Sequence, residues 1–213
     1  QEIHLLDIKR RWTNRLRQWY IMFCENMILY NYIPLNICSN FIREDFMIAL
    51  KIAEVKDFMN KLLCQDVFDH FLIQEAVITT NVSCHIDGTL QKDFYTLEEL
   101  EEQNLTGLSF VPYGLLRSSC FNLIKGKKTP SYFKFSLLLS PENLKRTLSQ
   151  TGSSFTENDI SAVFLNIRFQ NGELTVTTGI SYRIFSTDKT LEHEWDTLLK
   201  RFLTKNQISF DEL

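Results

Sequence analysis

Residues 162–169, Ala-Val-Phe-Leu-Asn-Ile-Arg-Phe, and residues 173–178, Glu-Leu-Thr-Val-Thr-Thr, flank the dipeptide Asn171-Gly172. Asn-Gly supplies two neighbouring residues that tolerate positive φ. The tight turn that matches the twist of two strands needs both, so the segment reads as an antiparallel β-hairpin. Nearby residues extend that sheet. Residues 132–139, rich in Phe and Leu, read as a strand, and residues 180–185 continue the second arm. Between the first strand and the hairpin, Ser140-Pro141-Glu142 places an N-cap serine before a first-turn proline and starts a helix over 143–150. After the hairpin, Asp188 or Thr190 caps a final amphipathic helix through residue 203, with Leu191, Trp195, Leu198, Leu199 and Phe202 on one face.

The same order occurs earlier in the chain. Met47-Ile-Ala-Leu-Lys-Ile52 reads as a strand, and 53–63 as a helix with Val55, Phe58, Met59, Leu62 and Leu63 at helical spacing. Residues 71–80 and 82–86 follow as β-branched-rich strands before the Asp87-Gly88 turn, and 90–95 is expected to add a further strand. Thr96 with Glu99 forms a capping box at the start of an acidic helix. A second connector helix is expected around 115–123, ending in the loop Gly126-Lys127-Lys128-Thr129-Pro130. The expected fold is α+β: two βαββ units with antiparallel sheets, 47–95 and 131–204, joined by a connector over 96–130. The shared order reads as an internal structural duplication within one domain, 47–213.

Composition narrows the function. A content of 44% hydrophobic and 23% charged residues is that of a globular chain, and a formal charge of −3 argues against a general nucleic-acid coat. The five cysteines, Cys24, Cys38, Cys64, Cys84 and Cys120, are scattered and form no CxxC pair, so neither a disulfide framework nor a zinc site follows. No apolar run reaches the length of a membrane span, and the N-terminus makes a poor signal peptide. The reading is a cytoplasmic protein with no membrane segment, no cofactor, no metal and no catalytic motif.

The binding residues that stand out are Arg117, Lys125, Lys127 and Lys128, a basic cluster ending in a glycine-containing loop that suits a phosphate or a nucleic-acid backbone. It is no P-loop, because the upstream glycine and the following helix are missing. Asp69-His70 and Glu192-His193-Glu194 read as surface groups, since sequence neighbours on a helix do not face each other. Cys84-His85 cannot form a dyad along one strand, where adjacent side chains point to opposite faces. Glu98, Glu99, Glu101 and Glu102 lack the alternating oxygen ligands of a cation loop and read as a solvated face. Two functions follow. One is a non-enzymatic module that binds protein or nucleic acid through a sheet edge or the basic connector. The other is an enzyme whose pocket lies between the two units and uses His85, Glu75 or Asp87.

The run Phe133-Lys-Phe-Ser-Leu-Leu-Leu-Ser-Pro-Glu-Asn-Leu-Lys-Arg-Thr-Leu, followed by Phe164-Leu-Asn-Ile-Arg-Phe-Gln-Asn-Gly-Glu-Leu-Thr-Val-Thr-Thr, resembles in pattern one repeat of a DNA sliding-clamp domain. That resemblance implies helices lining a basic hole and several copies closing a ring, hence a homo-oligomer. The helix charges depart from it: Glu54 and Asp57 stand beside Lys56 and Lys61, and Glu142 beside Lys145 and Arg146. Residues 47–213 also resemble an uncharacterised protein family of low-GC Gram-positive bacteria. The resemblance is carried by Met47-Ile-Ala-Leu-Lys-Ile, Ile124-Lys-Gly-Lys, Leu139-Ser-Pro-Glu-Asn and Leu191-Glu-His-Glu-Trp-Asp. It implies no activity.

Residues 1–46 differ in kind from the rest. They contain none of the seven glycines but two of the three tryptophans, and one helical stretch over 8–30. One reading is a helical extension packed on the domain. The other is a translated upstream region, because Arg43-Glu44-Asp45-Phe46-Met47 back-translates through AGG, GAG, GAT, TTT and ATG to a ribosome-binding site before a start codon. The nucleotide sequence tests this: AGG at Arg43 is expected, and a CGN codon there removes the argument.

Overall fold

The computed structural model describes residues 48–151 and 154–213. The N-terminal helix over 8–30 and both readings of residues 1–46 lie outside the described residues. Eight strands form a single sheet, every paired neighbour antiparallel. They are β1 (Ala49–Ile52), β2 (Leu72–Thr79), β3 (Ser83–Asp87), β4 (Val111–Pro112), β5 (Tyr132–Leu138), β6 (Ile160–Gln170), β7 (Glu173–Tyr182) and β8 (Phe210–Glu212). Across the sheet the order is β3-β2-β5-β6-β7-β1-β8, with β4 also paired to β2. Five helices accompany it among the described residues: α1 (Val55–Leu63), α2 (Leu97–Glu102), α3 (Tyr113–Ile124), α4 (Pro141–Thr151) and α5 (Thr190–Lys205).

The β6–β7 hairpin forms at the expected turn, with Gln170 paired to Glu173 and with Asn171 and Gly172 at φ 54° and 83°. Period-2 alternation then decides which face is buried. Val163, Leu165, Ile167 and Phe169 of β6, Leu174 and Val176 of β7, Phe133, Phe135 and Leu137 of β5, and Leu50 and Ile52 of β1 all enter one core. Phe58 and Leu62 of α1, Tyr113 and Cys120 of α3, and Leu191, Trp195, Leu199 and Leu203 of α5 cover it from the helical side. Aromatic rings seal its edge, with Phe68 5.5 Å from both Phe58 and Phe202. The indole of Trp195 donates to the Phe164 carbonyl at 2.9 Å, so its one polar atom is satisfied.

The order strand, helix, strand, strand recurs in the two segments, but their strand pairing differs. In the second unit β5 lies beside β6, whereas in the first unit β5, β6 and β7 stand between β1 and β2. The alternating directions make β1 and β2 run the same way, so α1 and the segment after it cross the sheet rather than fold back beside β1. The two units do meet through their sheets, at β2–β5 and at β7–β1. Their helices do not form a matched pair: α1 packs against α3, and α4 against α5.

Two local expectations are corrected. Residues 90–95 form no strand; only Thr89 bridges Phe110, and Lys92–Phe94 is a single 3-10 turn. The excursion from β3 to β4 instead builds a small core of its own from Leu90, Leu100 and Leu105. The last strand, β8, pairs with β1 although its Phe-Asp-Glu sequence carries no strand signal.

Gly88 sits where β3 gives way to this excursion. Its N–H donates to the Gln74 carbonyl and its own carbonyl accepts from Val111, both at 2.9 Å. A Cβ there would lie 1.8 Å from the Ile73 carbonyl oxygen. Gly88→Ala is therefore expected to cost about 2–3 kcal/mol through forced backbone displacement, read as a lower urea midpoint. A wild-type midpoint would show that the strand junction yields freely.

Candidate functional site

Strands β3, β2 and β5 gather five polar side chains on the sheet face opposite the core. Glu75 of β2 lies across from Asp87 on β3 and from Ser136 on β5. Its carboxylate accepts from the Lys134 ammonium, and its second oxygen lies 3.4 Å from His85 Nε2. The Ser136 hydroxyl is 3.4 Å from the first oxygen. Burial alone pulls the Glu75 carboxyl up, but the hydrogen bond and charge of Lys134, joined by those of His85, outweigh it and hold the group below its usual range.

Glu75, His85 and Asp87, the residues of the enzyme reading, thus share one patch. Lys134 and Ser136 join them from the second unit and were not singled out in the sequence. The missing signal was register, since only the pairing of β2 with β5 brings residues 59 positions apart into contact. Cys84 and His85 point to opposite faces, as adjacent strand residues must: Cys84 is half-buried and His85 exposed.

The basic residues divide in two. The Arg117 Nε lies 2.9 Å from Asp69 Oδ1, with both side chains about a quarter exposed, and this pair ties α3 to the turn before β2. Gly114 makes room for it, because a Cβ there would sit 3.0 Å from the Asp69 side chain. Lys125, Lys127 and Lys128 lie beyond the end of α3, all exposed, with no carboxylate within ion-pair distance among the described residues. The Lys125 ammonium stands 5.7 Å over the Phe121 ring. Leu115, Phe121 and Leu123 are also exposed on α3.

The remaining sequence candidates are dispersed. Asp69 pairs with Arg117 rather than with its neighbour His70, and His193 is exposed on α5. Glu99 closes the capping box with Thr96, each side chain receiving the other's backbone N–H. Cys120 is buried, which pushes its thiol up to about 11 and keeps it from acting as a thiolate. Among the described residues no three His, Cys, Asp or Glu side chains are grouped to hold a metal, and no helix is long and apolar enough to cross a membrane.

A family model of unknown function, DUF5721, matches residues 61–211. The chain belongs to that family. No curated protein and no solved structure matches it. The DUF5721 match takes in both the Glu75 patch and the lysine loop, and it attaches no chemistry to either.

The pH dependence of the Glu75 patch follows from its sign. A carboxyl held below its unfolded value stabilises the fold above about pH 4.3 and loses that contribution as pH falls through the folded value. Because Lys134 is 37% exposed, solvent screening limits the contribution to about 1 kcal/mol or less. Glu75→Gln is expected to flatten the acid limb of stability between about pH 5 and 3 while leaving the fold intact. Superimposable acid limbs for variant and wild type would show that the pair contributes nothing.

Proposed function

We propose that this DUF5721 domain is a non-enzymatic binding module that engages an acidic protein surface through the lysine loop and the last turn of α3. One observation carries this reading: Lys125, Lys127 and Lys128 are exposed without an acidic partner among the described residues, beside the exposed Phe121 and Leu123. Half of the other Lys and Arg side chains among the described residues are already ion-paired, as Lys51 is with Glu173 and Lys134 with Glu75, whereas these three follow one another in a single loop. Three ammonium groups flanked by apolar side chains suit a protein surface, where desolvated apolar contacts supply affinity and charges set the approach. A nucleic-acid backbone would draw on more cations and would find a protein of net charge −3. Arg117, committed to Asp69, contributes by anchoring α3.

A second reading, catalysis at the junction of the two units, is supported by the convergence of Glu75 and His85 with Lys134 and Ser136. In it His85 would exchange protons at Nδ1, the ring nitrogen that does not face Glu75, while Glu75 orients the ring.

The binding reading is tested with the triple variant Lys125→Ser, Lys127→Ser, Lys128→Ser. Partners captured by the wild-type domain are expected to be acidic proteins released by salt, with affinity for the variant about tenfold lower or worse. Undiminished capture by the variant rejects the loop. Capture of nucleic acid in place of protein rejects the partner class.

A further inference from the structure

The end of the first unit and the start of the connector carry a second exposed apolar patch, of opposite charge. Phe94 and Leu97 are 82% and 78% exposed, the highest values among the large apolar side chains of the described residues apart from Phe185. Phe94 is braced edge-on against Tyr95 at 5.3 Å, and Tyr95 in turn packs on the small Leu90–Leu100–Leu105 core. The patch is therefore held on an ordered base. Glu98, Glu101 and Glu102 stand on the same short helix as Leu97, exposed and unpaired among the described residues. Leu97 and Glu101 are four residues apart and so share a helical face.

Each patch combines exposed apolar side chains with charge, and the two charge sets are opposite: Lys125 over the Phe121 ring with Lys127 and Lys128 following it in the loop, and Glu101 on the face of Leu97 with Glu98 and Glu102 on the same short helix. No ion pair joins them within one described molecule. We infer that they are the two halves of one interface, and that the Phe94–Leu97 patch of one copy docks on the lysine loop and α3 terminus of the next. This rests on the reading of the lysine loop as a protein-docking surface, and it names the partner as a second copy of this chain. Two different patches meet, so the contact is head-to-tail, and an assembly either closes into a ring or keeps one patch of each kind free at its ends. With so few apolar side chains on each side it belongs to the weak, concentration-dependent class of contacts.

Sedimentation velocity on the whole chain tests this. The wild-type weight-average mass is expected to rise between about 10 μM and 1 mM and to fall as salt increases. Two variants separate the halves: Lys125→Glu, Lys127→Glu, Lys128→Glu, and Glu98→Lys, Glu101→Lys, Glu102→Lys. Each alone is expected to stay monomeric, with like charges now facing each other. Mixed in equal amounts they restore opposite charges at both contacts, the native acidic patch against the native lysine loop and the reversed patch against the reversed loop, and they are expected to regain the concentration-dependent rise in mass. Phe94→Ser, which changes no charge, is expected to weaken wild-type association about tenfold or more. Circular dichroism melts confirm that each variant is folded before it is scored. A wild-type chain that stays monomeric over the whole range overturns the inference, as does a mixture that stays monomeric or an unchanged Phe94→Ser. In each of these cases capture of a different acidic protein at the lysine loop leaves the binding reading standing, whereas loss of that capture removes both.

Discussion

The antiparallel ladder between β2 and β5 joins segments that lie about sixty residues apart in the chain, from Leu72 opposite Leu138 to Thr79 opposite Tyr132. Its register does two things at once. On one face it aligns Ala76 and Ile78 with Phe135 and Phe133, which stack into the aromatic centre of the core. On the other it sets Glu75 against Lys134 and Ser136. A slip of one residue would reverse both faces, burying the ion pair and exposing the phenylalanines. The irregularity between Ile73 and Glu75 absorbs one extra residue and lets β4 pair with the start of β2, and the connector leaves and re-enters the sheet at that point.

Helices cover the core face, and this explains the character of the other. The face opposite the core carries ion pairs, as in Glu75–Lys134 and Lys51–Glu173. Two buried hydroxyls at the core are matched: that of Tyr113 donates to the Leu62 carbonyl, and that of Thr178 donates to Asp196 while accepting from the Ile48 N–H; the buried Tyr182 hydroxyl has no hydrogen-bond partner among the described residues. Asp196 is half-buried, and the loss of water raises its carboxyl even though the Thr178 hydrogen bond opposes the shift. Such groups bind α5 to β7 by geometry as well as by apolar contact.

Elements whose signal is local were legible in the sequence. Asn171-Gly172 fixed the hairpin, Thr96 with Glu99 the start of α2, and Ser140-Pro141 the start of α4. Features that depend on distant partners were not. The repeated strand-helix-strand order could not reveal that β1 pairs with β7 and β8 instead of β2, because four residues of alternating character fit any open edge. For the same reason Glu75 and His85 could be named but Lys134 and Ser136 could not. Arg117 looked like one of four equivalent cations until folding placed it against Asp69, where the space left by Gly114 admits the carboxylate.

The DUF5721 match begins at residue 61, inside α1, yet the sheet does not close without residues that precede it. β1 lies between β7 and β8, and its Leu50 and Ile52 are both buried in the core. Removing it would leave β8 without a neighbour and expose the edge of β7, an unpaired row of N–H and C=O groups beside buried apolar side chains. The cooperative unit is therefore wider than the matched segment and must include the strand from Ala49. The connector stands in contrast, because it buries a small core of three leucines and leaves Phe94, Leu97, Phe121 and Leu123 in solvent. Stability in this domain resides in the sheet and its helical cover, while the stretch from Phe94 to Lys128 presents exposed apolar side chains and unpaired charge where contact with another molecule disturbs the core least.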